Sequence, residues 1–197
     1  AAHASLEHVI AVTDDGAAEF DECVTFGSMR DERWVDTYGE QVVETDVDPA
    51  NPGVMLLSGG TTGLPKAIPR THNDYVFQWE RMAEVSGVET DWVAFPSVPI
   101  GHNASLNCIV GAALWEGATV AVEPVLKPEH LMDFIERVDG SYTLPMPTQI
   151  LDILDHPDVD EYDLTSLEVL VSGGQKVPPA VVEQAVERWD VGFCNIF

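Results

Sequence analysis

LLSGGTTGLPKAIPRTHNDY, residues 56 to 75, decides how the rest of this chain is read. Val54 to Leu57 reads as a buried strand, an apolar run broken abruptly by six small residues, Ser58, Gly59, Gly60, Thr61, Thr62 and Gly63. Glycines let a backbone turn with its amides pointing into one concavity, and hydroxyls add further donors. That combination cradles phosphate oxygens. Lys66 follows as a point charge, and Thr71 with Asp74 has the spacing of a helix cap, which predicts a helix to about Val85. The spacing is not that of the GxxxxGK[ST] loop: lysine comes three residues after Gly63, Pro65 precedes it, and Ala67 occupies the Ser/Thr position. A nucleotide-switch ATPase is thereby disfavoured. The plain alternative is a glycine-rich turn that binds nothing.

Outward from this stretch, apolar runs bounded by turn residues alternate with helical patterns. Strands are predicted at Val93 to Phe95, Thr119 to Val122, Leu167 to Val171 and Gly192 to Phe197. Helices are predicted at Ser105 to Trp115, Pro128 to Val138 and from Pro178-Pro179 through Trp189. Such alternation specifies an α/β fold, a mainly parallel sheet with covering helices. Before the loop, Val9 to Val12 reads as a strand, while Asp14 to Glu22 and Thr45 to Pro52 read as acidic turns and linker. Residues 1–50 are therefore expected to be a partial preceding subdomain and linker, and 51–197 a separate partial subdomain.

Charge narrows the classes of partner. The 197 residues carry 34 acidic and 9 basic side chains, a formal net charge of -25. Nucleic acid binding relies on Lys and Arg displacing counterions from phosphate, so no nucleic-acid partner is expected. The acids are spread along the chain and resemble the surfaces of proteins from salt-accumulating archaea, where a Debye length of ~3 Å screens self-repulsion. Only Lys66, Lys127 and Lys176 remain as lysines, and two of them follow Ser-Gly-Gly runs. No apolar run approaches the ~20 residues that span a bilayer, and the first residues lack a secretory signal pattern; the expectation is a cytoplasmic protein with no membrane partner. Cys23, Cys108 and Cys194 are odd in number and far apart in sequence, which suggests neither a disulfide framework nor a metal site.

The stretch 56–75 resembles the signature phosphate loop of the adenylate-forming superfamily, which includes acyl-CoA synthetases, luciferases and adenylation domains of nonribosomal peptide synthesis. PKAIPRTHNDY is similar to the aryl-acid branch, the 2,3-dihydroxybenzoate and salicylate AMP ligases of siderophore biosynthesis. FPSVPIGHNASLNCIVGAALWEGATVAV and LEVLVSGGQKV extend the resemblance over about residues 50 to 197. It implies a piece of the large N-terminal domain of an adenylate-forming enzyme. It also implies a two-step reaction: ATP and an aryl carboxylate give an acyl-adenylate and pyrophosphate, and the aryl group then passes to the thiol of an aryl-carrier protein or CoA.

The resemblance assigns roles residue by residue. Ser58 to Gly63 and Lys66 would hold the β- and γ-phosphates, and Gly173, Gly174 and Gln175 would line adenine and the base of the acyl pocket. His102 and Asn103 would sit beside the acid, with Asn103 facing its hydroxyl, and Cys108 and Lys176 would complete the acid site. Lys66 and His102 are the candidate catalytic residues. Read without the family, Asn103 is a helix-capping residue, His102 a packed ring and Cys108 a small buried residue of an apolar helix. A cysteine at 108, a weaker hydrogen-bond partner than serine, leans towards salicylate. Gln175 replaces the usual alanine and Ala104 the usual aromatic, and both bear on the identity of the acid. The family's Mg²⁺-binding glutamate would lie beyond Phe197, so the chain reads as a fragment expected to be inactive alone. Two alternatives remain open: an acyl-CoA synthetase-like ligase for another acid, and a non-catalytic nucleotide-binding remnant.

Overall fold

Five strands run parallel in one sheet, and their order is what places a site in this fold. The computed structural model describes residues 47–57 and 66–196, together with the backbone of 9–11 and 23–25. The chain divides into two compact units, Ala1–Asp46 and Val47–Phe197. In the first, β1 (Val9–Ala11) pairs in parallel with β2 (Cys23–Thr25), Val9 opposite Cys23. The acidic turns expected at 14–22 lie outside the described residues.

In the second unit, β3 (Pro52–Leu57) and β4 (Ala67–Thr71) form an antiparallel pair, with Leu57 opposite Ala67 and Met55 opposite Pro69. This corrects the sequence reading twice. The strand expected to be buried leaves Met55 66% and Leu57 70% exposed, and it pairs with β4 and not with the parallel sheet. Pro69 hid β4: proline cannot donate to a ladder, and it is tolerated here because, among the described residues, β4 pairs on one side only. The helix α1 (His72–Ser86) then begins where the capping pattern puts it. Thr71 Oγ1 accepts from the Asp74 amide at 3.1 Å, and Gly87, at φ 64°, closes the other end.

The parallel sheet comprises β5 (Val93–Phe95), β6 (Thr119–Val120), β7 (Tyr142–Thr143), β8 (Val169–Gly173) and β9 (Gly192–Ile196), in the order β6-β5-β7-β8-β9. Between them come a π-helix, π1 (Ser105–Gly111), running into α2 (Ala112–Glu116), then α3 (Pro128–Val138), α4 (Pro147–Leu154) and α5 (Pro179–Trp189). Adjacent residues of a strand face opposite ways, and the two cores follow that rule. Phe95 and Leu170 join Met132, Ile135, Ile150 and Ala185 on the face covered by α3, α4 and α5. Ala94 and Val171 join Ala83, Ile109, Ala112 and Tyr142 on the face covered by α1, π1 and α2. No described helix is long and apolar enough to cross a membrane.

The chain leaves β5 towards β6 on one side, then returns to place β7 on the other. Parallel sheets bind ligands outside the carboxyl ends of their strands, where the winding direction reverses. Here that point lies between β5 and β7.

Candidate active site

A cavity of about 540 Å³ opens at the reversal point. Val98, Pro99 and His102 reach it from the turn after β5, Leu144 and Met146 from the segment after β7, Gly173 and Gly174 from the end of β8, and Ile196 from β9. The turn is held shut by backbone and side chain together: His102 N–H donates to the Pro99 carbonyl at 2.8 Å, and Ser105 Oγ, fully buried, donates to the Val98 carbonyl at 2.8 Å. Gln149, at the start of α4, joins two strand exits. Its Nε2 donates to the Ser97 carbonyl and its Oε1 accepts from the Met146 amide, both at 2.8 Å. Ser172 Oγ donates to the Pro145 carbonyl at 2.8 Å and ties β8 to the same place. Sequence reasoning missed Gln149, whose helix is framed by prolines and carries no polar pattern that marks a site.

A second cavity, of about 390 Å³, lies between the β3–β4 pair and the same turn. Leu56, Leu57 and Ile68 give it an apolar wall, and Arg70, His102 and Asn103 give it polar groups. Gly101 and His102 border both cavities. His102 Nδ1 accepts from the Ala104 amide at 3.2 Å, which in a neutral ring puts the proton on Nε2. Asn103 Oδ1 accepts from the hydroxyl of Tyr75 at 3.0 Å, a contact across 28 positions of sequence. Arg70 pairs with Asp74 at 3.8 Å.

The residues singled out from sequence separate into three groups. His102, Asn103, Gly173 and Gly174 come together around the two cavities. Each glycine has its own cause: a Cβ on Gly173 would lie 1.9 Å from the Ile196 carbonyl oxygen, whereas Gly174 sits at φ +73° with open space before it. Gln175 and Lys176 stand exposed on the turn that follows, and Lys66 is exposed just before β4. Cys108 is buried in the core beside Tyr142 and borders neither cavity; its backbone carbonyl accepts from the Tyr142 hydroxyl at 2.8 Å. Ser58, Gly59, Gly60, Thr61, Thr62 and Gly63 lie outside the described residues.

Burial pushes the Cys108 thiol up to about 11, with the nearby Cys194 adding to the shift. At pH 8 roughly one Cys108 in a thousand is then a thiolate, the reactive form. Iodoacetamide at pH 8 is expected to leave Cys108 unlabelled in the folded chain and to label it after denaturation, as read by peptide mass. Rapid labelling of Cys108 in the native chain would contradict its burial. Among the described residues no group of three His, Cys, Asp or Glu side chains could hold a metal ion.

Known proteins resemble the chain in both sequence and fold. The chain matches the family described as AMP-binding enzyme over residues 1–197. It is 34% identical over 143 residues to the 2,3-dihydroxybenzoate-AMP ligase of Bacillus subtilis (strain 168), covering 72% of this chain and 26% of that protein. It is also 34% identical over 152 residues to the salicyl-AMP ligase / salicyl-S-ArCP synthetase of Mycobacterium tuberculosis, covering 76% and 27%. The chain thus spans about a quarter of the length of the curated relatives it matches. Among solved structures, the anthranilate CoA ligase AuaEII in complex with anthranoyl-AMP superposes with a TM-score of 0.80 at 21% identity, over 96% of this chain and 36% of that one. The parallel sheet, the cavity at its reversal point and these matches place the chain in the AMP-binding enzyme family of the adenylate-forming superfamily.

Proposed function

We propose that this chain carries part of the site of an aryl-acid AMP ligase. The observation that carries the reading is the convergence of His102, Gly173 and Gly174 on one cavity at the reversal point, with Asn103 on the adjoining one. An aryl acid would lie against the turn 98–104, with its ortho oxygen at Asn103. Gly174 leaves room for a flat base to approach the backbone, and the apolar lining of Val98, Leu144 and Ile196 excludes water from it.

ATP is the co-substrate in this reading, and Mg²⁺, when bound, neutralises phosphate charge. A carboxylate oxygen attacks the α-phosphorus, a C–O–P bond forms, and the bond from that phosphorus to the pyrophosphate oxygen breaks. A thiolate sulfur from a carrier protein or CoA then attacks the acyl carbon, and AMP departs with the electron pair. There is little covalent chemistry for side chains to perform, so their contribution is position and charge. Lys66, together with the amides and hydroxyls of residues 58–63, would hold the leaving pyrophosphate. His102, with Nδ1 engaged, would offer its Nε2–H to an oxygen of the acid or the phosphate.

Both halves of the reading can be checked by equilibrium binding. ATP is expected to bind the chain more tightly when salicylate or 2,3-dihydroxybenzoate is present, and Lys66→Ala is expected to weaken ATP about tenfold, the loss of one charge-assisted contact. ATP binding indifferent to every carboxylic acid would overturn the ligase reading in favour of a nucleotide-binding remnant. A larger acid than salicylate is the second reading, favoured by one observation: Ala104, where the family has an aromatic, borders the 540 Å³ cavity. A bicyclic aryl acid outcompeting salicylate would select it.

A further inference from the structure

Among the described residues, the cavity beside the β3–β4 pair is lined by polar groups of a single sense. Arg70 has donors only. His102 has its Nδ1 occupied by the Ala104 amide, which leaves the Nε2–H. The remaining polar side chain among these is Asn103, whose amide could in principle turn either end inward. Its orientation is decided from outside the cavity, by Tyr75.

We propose that Tyr75 is a positioning residue: by donating its hydroxyl hydrogen to Asn103 Oδ1 it keeps Nδ2 available to the cavity, so the site reads the ortho substituent of an aryl acid as a hydrogen-bond acceptor. This rests on the assignment of Asn103 to the acid made above. Tyr75 is 3% exposed, on the first turn of α1, with its ring edge-on to Trp79 at 5.8 Å and 87°. Burial raises the pKa of its phenol, a shift the Arg70 charge opposes, and the hydroxyl keeps its proton as a donor. A flipped amide would leave that buried hydrogen without the acceptor it now has, which is costly away from water.

The consequence for substrates follows from their internal hydrogen bonds. In salicylate the phenolic hydrogen turns to the neighbouring carboxylate, so the oxygen lone pairs face outward and match an N–H donor. Anthranilate delocalises its nitrogen lone pair into the ring and turns an N–H outward, donor against donor. Benzoate offers neither. The order salicylate, benzoate, anthranilate is expected, with about tenfold between the first and the last from one matched against one mismatched pair.

The test uses the whole chain, its Tyr75→Phe variant and its Asn103→Leu variant, titrated with salicylate, benzoate and anthranilate in the presence of ATP. The side-chain amide protons of Asn103 are followed by NMR without ligand. Tyr75→Phe keeps the ring and its packing, so a merely structural role would weaken all three acids alike. The expected result is instead a collapse of the salicylate-to-anthranilate ratio to within about threefold, with shifted Asn103 amide signals. A wild-type ratio in Tyr75→Phe, alongside a collapsed ratio in Asn103→Leu, would overturn the positioning role and leave Asn103 on the acid. An unchanged ratio in Asn103→Leu, or no binding of any acid by the wild type, would overturn both. The unmodified chain is itself a test: anthranilate binding as tightly as salicylate contradicts the proposal without any variant.

Discussion

Gly173→Ala is expected to lower the melting temperature by roughly 10 °C, although it adds a single methyl group. The new Cβ would lie 1.9 Å from the Ile196 carbonyl oxygen and 2.8 Å from its carbonyl carbon, in the strand directly paired with β8. No rotamer relieves a clash between two backbones, so β9 must shift or part from β8. Overpacking of this kind costs about 3 kcal/mol, and each kcal/mol moves a chain of this size by about 2–4 °C. Gly174→Ala is the control. At φ +73° with nothing within 4 Å it is strained but not blocked, and it should cost only about 1 kcal/mol. Thermal unfolding of the two variants decides the matter. Equal effects would mean that Gly173 is not packed against Ile196 as described.

The second large effect is expected at Phe95, which is 1% exposed and meets Phe134 edge-on at 5.7 Å. Its ring also fills the space beside Gly140, where a Cβ would come within 2.7 Å of it. Removing a ring so enclosed leaves a void on the α3–α4–α5 face of the sheet, since neither a strand nor a packed helix can collapse into it. Phe95→Ala is expected to lose about 4 kcal/mol in urea unfolding, with an unchanged dependence on denaturant. Acid binding should fall more steeply than stability alone predicts, because Phe95 is the last residue of β5 and anchors the turn that carries His102 and Asn103. Loss of stability with wild-type acid affinity would separate that turn from the strand that leads into it.

What could be read from sequence, and what could not, has a physical pattern. Strong periodicity located α1, α3 and α5, and short apolar runs located β5, β6, β8 and β9 within two residues. The missed elements had weak or contradictory local signals. β7 is two residues long, α4 is framed by Pro145 and Pro147, and β4 contains Pro69. Val54 to Leu57 has the composition of a buried strand, but burial is a property of neighbours, and within the described residues its partner is the exposed β4. At the site, motif resemblance picked out His102, Asn103, Gly173 and Gly174, which the fold does bring to adjoining cavities. It gave no role to Tyr75, the last residue of the stretch 56–75, because the contact to Asn103 joins segments distant in sequence, nor to Gln149, whose partners are backbone atoms, one of them in the turn after β5.

The π-helical winding of Ser105–Gly111 carries a further implication. A π turn takes up more residues than the α turn it replaces, so this segment is in effect an α-helix with surplus chain. Excising one residue would let the segment relax to α geometry with the phase of everything downstream nearly kept, because a π turn spends about one residue more than an α turn to cover the same rotation. Ala112 and Ala113, now fully buried, would keep their places in the core. The segment therefore holds a spare residue that it could lose without turning its buried face away, while the cavity itself is met just before it, at Ala104.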